Sequence, residues 1–337
     1  MDFRLDDDQV ALRDAVRGLS EHHFALSDVS VREGVPAGDA AWRDLEAMGI
    51  FALLVPLDAA GTGNGTVTAA VALEELSAHL AVGPVLWTTI TAPLALRADG
   101  DAVRVAGVLV AGHPSGPVVI EHAAEADIVI VVHEDRVERY VAALPTANVG
   151  EPFDPLTPAL AYEFMPRGEV IGGPDEARSI RLAGTVLAAA QLVGVAQGAL
   201  DVASAYALER HQFGVPIGSF QAIKHMLSDM YVRVELARSS TYAAAAILDD
   251  ERGGDAEHAA SAAKLLAGQA GIDNGRAAVQ VLGGMGFTWE MLPHYFLKRA
   301  WVLEQSFGTG ESHALALGDA LGVAAGAAAS ESLNAWT

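Results

Sequence analysis

From Leu182 to Leu200 the chain runs nineteen residues without a charged side chain. A helix built from that stretch is apolar on every face, so it has to be covered all round, by lipid or by other helices. Gln191, Gln197 and three glycines interrupt the run, and Arg178, Arg181 and Asp201 flank it. Those features favour the centre of a helical bundle over a membrane span. The long helix from Leu182 to Leu208 and its neighbours are also too apolar for one short bundle to shield, so a subunit interface is expected over part of them.

The sequence around it supplies the bundle. Helical spacing predicts long helices over about 176–209, 219–250 and 255–281, a shorter one over 288–304 and a last one after 310. Ser219 and Asp255 stand at N-cap positions, Gly253-Gly254 makes a turn, and Gly283-Gly284-x-Gly286 stops the third helix. The first ninety residues read as helices too. Asp6 to Asp8 cap one carrying Val10, Val16 and Leu19, and Trp42, Leu45 and Met48 recur at helical spacing before Gly49. Between the two helical parts the texture changes. Short β-type runs, 103–110, 118–120, 128–132 and 136–141, are followed by a proline-rich passage from Pro145 to Pro166 that reads as a linker. The expected fold is mainly α with a small central β domain: an N-terminal helical domain (1–100), a short β domain (101–170) and a C-terminal four-helix bundle (171–337).

Charge and composition narrow the function. A net charge of −22, with 43 acidic against 21 basic side chains, argues against nucleic acid or anionic lipid as a partner. Without cysteine there are no disulfides, thiolate nucleophiles or cysteine-ligated metals. The eleven histidines fall in no metal-ligating pattern, and no Gly-x-Ser-x-Gly elbow or P-loop is present. The N-terminus lacks a basic region followed by an apolar one, so a cytoplasmic location is expected. Gly61-Thr62-Gly63-Asn64-Gly65 follows an apolar run, but its spacing from that run suits a plain loop better than a dinucleotide-binding turn.

Two segments of the bundle carry more specific information. One is Arg210-His211-Gln212-Phe213-Gly214 with Phe220-Gln221 and Leu227-Ser228-Asp229-Met230 downstream. The other is Gln280-Val281-Leu282-Gly283-Gly284-Met285-Gly286-Phe287. Together, and with Trp42-x-x-Leu45-x-x-Met48-Gly49 and Val55-Pro56 near the N-terminus, they resemble the acyl-CoA dehydrogenase family. The residue chemistry agrees with flavin binding. The Arg210 guanidinium can pair with a pyrophosphate, Phe213 offers a flat face, Gln280 supplies an amide, and Gly283 and Gly284 let a ligand approach the backbone. The resemblance implies FAD as cofactor, with Arg210, Gln212, Phe213, Gln280, Gly283, Gly284 and Thr309 as its contacts, and assigns Arg210, Phe213, Gln280 and the glycines to the FAD of a neighbouring subunit.

It also implies α,β-dehydrogenation of an acyl-CoA thioester, which needs a carboxylate base for the α proton. In the family that base is a Glu before Gly-Thr, about 27 residues after the motif glutamine. Counting from Gln280 reaches Phe307-Gly308-Thr309, with Phe307 in the place of the Glu. Other members carry the base 26 residues before the motif arginine, which here is Gly184. Glu304, one turn before Phe307, is the alternative base, and Glu311 a further carboxylate nearby. Two family runs that hold the flavin ring and thioester have no match between Ala92 and Gly172. The chain resembles the small, degenerate subunits of heteromeric actinobacterial acyl-CoA dehydrogenases of lipid metabolism. A homologous partner, in a heterotetramer, would then supply the catalytic Glu. A flavin-dependent tailoring oxidase or oxygenase on the same fold, and a structural partner without flavin, are the alternatives.

Overall fold

The computed structural model describes residues 5–59, 61–95, 103–110, 117–141, 147–148, 151–163, 168–250 and 254–334. Four helices open the chain: α1 (Asp7–His23), α2 (Asp39–Ala47), α3 (Gly65–Ala78) and α4 (Val85–Ala95). Asp6 caps α1 as its sequence suggests, accepting from the Gln9 N–H while the Gln9 side chain returns to the Asp6 N–H. Gly49, at φ 78°, ends the turn after α2.

The central region holds two sheets. The first orders β1 (Val105–Leu109), β3 (Ile128–Val132), β4 (Val137–Val141) and β7 (Glu169–Gly172), with β1 parallel to β3 and the other pairs antiparallel. The second orders β2 (Val118–Glu121), β6 (Ala159–Tyr162) and β5 (Ala147–Asn148). The Ile-Val-Ile-Val-Val run of β3 is apolar without alternation because both of its faces are covered. Val129 and Val131 face the core between the sheets, while Ile130 and Val132 face the helices. The proline-rich passage corrects the linker reading over its described part, since β6 lies within it. Pro145 and Pro166 fall outside the described residues. β7 runs across residue 170, and the change from sheet to helix comes at Gly173.

The bundle consists of α5 (Pro174–Glu209), α6 (Gln221–Asp249), α7 (Ala256–Leu282), α8 (Pro293–Gln305) and α9 (Gly310–Asn334). Asp255 caps α7 by accepting the His258 N–H. Ser219 does not cap α6. The cap position is Phe220, and the Ser219 hydroxyl donates to the Pro216 carbonyl instead. The shorter helix starts later than its pattern indicated, with Pro293 in its first turn, where a missing N–H costs nothing.

Among the described residues α5 is the one helix long and apolar enough to cross a membrane, and 78% of its most apolar window is buried inside the chain. Val186 to Ala190, Leu192, Val193, Val195 and Ala196 are wholly inaccessible. The cover over Leu182 to Leu200 comes from α3, α6, α7 and α8 of the same chain, while Leu208 near the end of α5 and Tyr231, Val232 and Leu236 of α6 stay exposed. Asn274 of α7, itself fully buried, donates through Nδ2 to the carbonyls of Ala196 on α5 and Met230 on α6, so one amide ties three helices.

The glycines at 61–65 hold no phosphate cradle. The N-terminus of α3 is filled from the far end of α6, where the Asp249 carboxylate accepts the N–H groups of Thr66 (2.7 Å) and Val67 (3.0 Å). Replacing Asp249 by Ala should therefore lower stability to chemical denaturation by about 1 kcal/mol, and Asp249→Asn by much less. Equal losses for the two variants would contradict the capping role.

Candidate functional site

Helix α5 sets two separate places. Near its start, Gly184 lies against the turn between α8 and α9. At its end, Arg210 is the C-cap, roughly 39 Å farther on at 1.5 Å per residue. α7 runs parallel to α5 and α6 antiparallel to both, so the end of α7 and the start of α6 meet the end of α5. The expected cofactor residues divide accordingly. Arg210, Gln212, Phe213, Gln280, Gly283 and Gly284 gather at one end of the bundle, whereas Thr309 lies beside Phe307 at the other.

At the first end the backbone makes a short hairpin of β8 (His211–Gln212) and β9 (Val215–Pro216). Its two-residue turn puts Phe213 at φ 53° and Gly214 at φ 85°. A left-handed backbone is costly for phenylalanine, and the ring it presents is 91% exposed, set edge-on to that of Phe220. Strain and exposure on one aromatic residue point to a surface that something outside this chain covers. Arg210 anchors the hairpin through its backbone, which donates to the Tyr206 carbonyl and accepts from the Ile217 N–H. Its guanidinium makes no hydrogen bond or ion pair among the described residues. The amide of Gln280, on the last turn of α7, is likewise exposed and unpaired there. Gly283 and Gly284 follow, with open space where a Cβ would stand. A free cation, a free amide, an exposed ring and bare backbone fit an extended anionic ligand such as the adenine and pyrophosphate of FAD.

The second place is closed. Phe307 is buried at φ 57°, its ring 5.0 Å from that of Trp87 on α4. The turn is pinned by Lys264 of α7, whose buried ammonium donates to the carbonyls of Glu304 (2.8 Å) and Gly308 (2.9 Å) on either side of Phe307. Burial pulls the Lys264 pKa down to about 8, against the opposing pull of Glu304. The Glu304 carboxylate accepts the Gly310 N–H at 2.7 Å and the Gln305 amide at 2.6 Å, capping α9. Thr309 is also engaged in that cap, through the Ser312 N–H. Glu311 is exposed in the first turn of α9.

Beside this turn remains a cavity of about 50 Å³, lined by Trp87, Glu121, His122, Gln191, Arg299 and Ser306 among others. Burial raises the Glu121 pKa. Arg299 is held by Asp154, and its Nη2 and the Gln191 Oε1 have no hydrogen-bond partner among the described residues. The space is far below the roughly 300–1,000 Å³ of a ligand pocket, so it does not fit a flavin ring. A larger cleft, about 1090 Å³ between α1, α3, α5 and α6, lies away from the motifs. Its Arg238 is committed to Glu74, Glu235 and Gln197. Among the described residues no group of histidines and acids could hold a metal.

Comparison with known proteins matches this architecture. The acyl-CoA dehydrogenase N-terminal domain model covers residues 6–101, and the C-terminal domain model covers residues 183–322. The chain is 30% identical to acyl-CoA dehydrogenase IpdE2 of Mycobacterium tuberculosis over 86% of its own length and 89% of that protein. This chain belongs to the acyl-CoA dehydrogenase family. With that membership goes oxidoreductase chemistry and the expected cofactor, FAD. Acyl-CoA dehydrogenase FadE34 of the same organism is 32% identical over 87% of this chain, which spans only 45% of FadE34. Among solved structures, the ChsE4-ChsE5 complex of Mycobacterium tuberculosis shares the fold, with a TM-score of 0.81, 22% identity and coverage of 96% and 99%. The two matched family domains leave 102–182 between them, the part in which the flavin-ring runs could not be found.

Sequence reading passed over Trp87 and Lys264. Lys264 carried one signal, a lone charge between Ala263 and Leu265 on a face otherwise made for burial. Because its pKa falls on folding, the unfolded chain binds more protons between about pH 8 and pH 10.5, so stability gains from deprotonation there. A neutral amine still donates to both carbonyls, and His313 next to it, lowered by burial, is neutral throughout. Relative to Lys264→Met, the wild type should gain on the order of 2 kcal/mol between pH 7.5 and pH 10 in denaturant titrations. A flat difference across that range would show that the ammonium is not desolvated.

Proposed function

We propose that this chain is a flavin-holding, non-catalytic subunit of a heteromeric acyl-CoA dehydrogenase, working in cytoplasmic lipid metabolism beside a homologous subunit that supplies the base. One observation carries the reading: the two positions at which the family places its carboxylate, counted separately as Phe307 and Gly184, lie against each other and neither bears an acid. An aromatic ring cannot accept the α proton, and Glu304, the carboxylate one turn before Phe307 in sequence, is spent on the start of α9.

The opposite end of α5 supports the remaining role. Arg210 would pair with a pyrophosphate oxygen of FAD, Phe213 would lie against the adenine, Gln280 would hydrogen-bond the nucleotide, and Gly283-Gly284 would let it come close to the backbone. When bound, FAD supplies the acceptor for the hydride leaving the β carbon. The residues of this chain hold its distant half and leave the reacting half to the partner. That division explains why the hairpin stays exposed in the single chain. It also gives the interface its place: Leu208, Phe213, Tyr231, Val232, Leu236 and Phe287 are exposed apolar residues of α5, α6 and the loops around this end. The ChsE4-ChsE5 structure, a complex that includes a chain of this fold, fits an assembly of that kind.

In the assembled protein, Arg210→Ala should weaken FAD retention about 30-fold, equivalent to about 2 kcal/mol, as read by flavin absorbance after gel filtration. Unchanged occupancy would remove Arg210 from the cofactor site, and an assembly that never carries flavin would favour a structural partner. The isolated wild-type chain with added FAD should oxidise no acyl-CoA, because losing the general base alone removes a factor of about 100 to 10,000. Robust turnover by the chain on its own would overturn the proposal and make Glu304→Gln the first variant to assay.

A further inference from the structure

Four residues distant in sequence form one stack. A Cβ added at Gly184 on α5 would lie 2.0 Å from Cε1 of Phe307 and 2.5 Å from two more of its ring carbons. The Phe307 ring also meets that of Trp87, with 5.0 Å between centroids. A Cβ added at Gly107 on β1 would in turn lie 2.2 Å from Cε3 of Trp87. Two rings are therefore seated on two glycines, in the order Gly107, Trp87, Phe307, Gly184, from the sheet across α4 to the first half of α5. Each contact is too close for any side chain in place of hydrogen, and a close-packed interior has no slack to absorb one.

We propose that this stack is a steric lock that keeps an acyl thioester out of the chain's own reaction centre, and that Gly184 and Phe307 are its interdependent halves. The chain can carry a side chain at 184 or a ring at 307, not both. The identification of the filled space as a reaction centre rests on the subunit reading above. The coupling of the two positions rests on the contact distances alone. Lys264 completes the device from behind, because its bonds to Glu304 and Gly308 hold the turn that aims the ring at Gly184. The 50 Å³ left beside the rings admits no acyl chain.

Sign is the diagnostic for the coupling. In a helix interior Gly→Ala ordinarily stabilises, by removing backbone freedom from the unfolded chain. Here Gly184→Ala should instead lower Tm by about 5 °C, because the new methyl meets the Phe307 ring. In a Phe307→Gly background the same substitution should raise Tm. Gly184→Ala costing the same in both backgrounds would overturn the coupling.

The exclusion is tested on the purified protein, with whatever subunit copurifies, by titrating octanoyl-CoA in a calorimeter. Phe307→Gly and the double variant Phe307→Gly, Trp87→Ala should each gain one binding site per copy of this chain, at least tenfold tighter than any residual binding there in the wild type. Phe307→Leu, which refills most of the space, should gain none. Wild-type protein already binding one octanoyl-CoA per copy of this chain beyond the one site of each copurifying subunit would overturn the exclusion. So would folded ring-deleted variants that gain no site, and the sign reversal at Gly184 would then locate the failure in the reading of the space rather than in the lock. Failure of the Arg210 experiment alone would strike the cofactor assignment and leave both results here standing.

Discussion

The burial of α5 on every side is the constraint from which the other features follow. A helix that must be covered all round draws α3, α6, α7 and α8 onto it, and Asn274 fixes α5, α6 and α7 in register through two buried hydrogen bonds. Once it is held, α5 acts as a ruler about 39 Å long between Gly184 and Arg210. Gly184 near its start is locked into close packing, and the hairpin at its end is left on the surface. The closed turn and the open hairpin are consequences of the same helix.

The two ends differ in their physics as well as in position. At the closed end the energetics are steric, with rings on glycines and a turn fixed by a buried ammonium whose charge is made costly by its surroundings. At the open end they are electrostatic and unfinished. A guanidinium and an amide without partners, a strained and exposed ring, and bare backbone make little sense in an isolated chain carrying a charge of −22. They make sense once an anionic cofactor and a second subunit cover them.

Much of this was legible in the amino-acid sequence, because helix periodicity and caps are local. Asp6 and Asp255 announced their helices, and the motif residues from Arg210 to Gly284 come together because each follows directly from a helix end. What depended on distant contacts was hidden. Counting along the chain singled out Phe307 and Gly184 separately, but nothing in a linear count shows that positions 123 residues apart touch. Trp87 lies in an apolar run like any other, and β6 sits among prolines that argued for a linker. Ser219 had the chemistry of a cap, yet the chain turned one residue later and spent its hydroxyl on Pro216. The apolar excess of α5 was read correctly as needing cover. Part of that cover comes from N-terminal helices far away in sequence, which no local pattern reveals.

The most direct measurement is an experimental structure of the assembled protein with FAD and a non-reactive acyl-CoA analogue bound. The account predicts the FAD pyrophosphate against Arg210 of this chain, the flavin ring and thioester at a carboxylate contributed by the other subunit, and Phe307 still seated on Gly184. A flavin ring or an acyl thioester lying between Trp87 and Gly184 of this chain would contradict it.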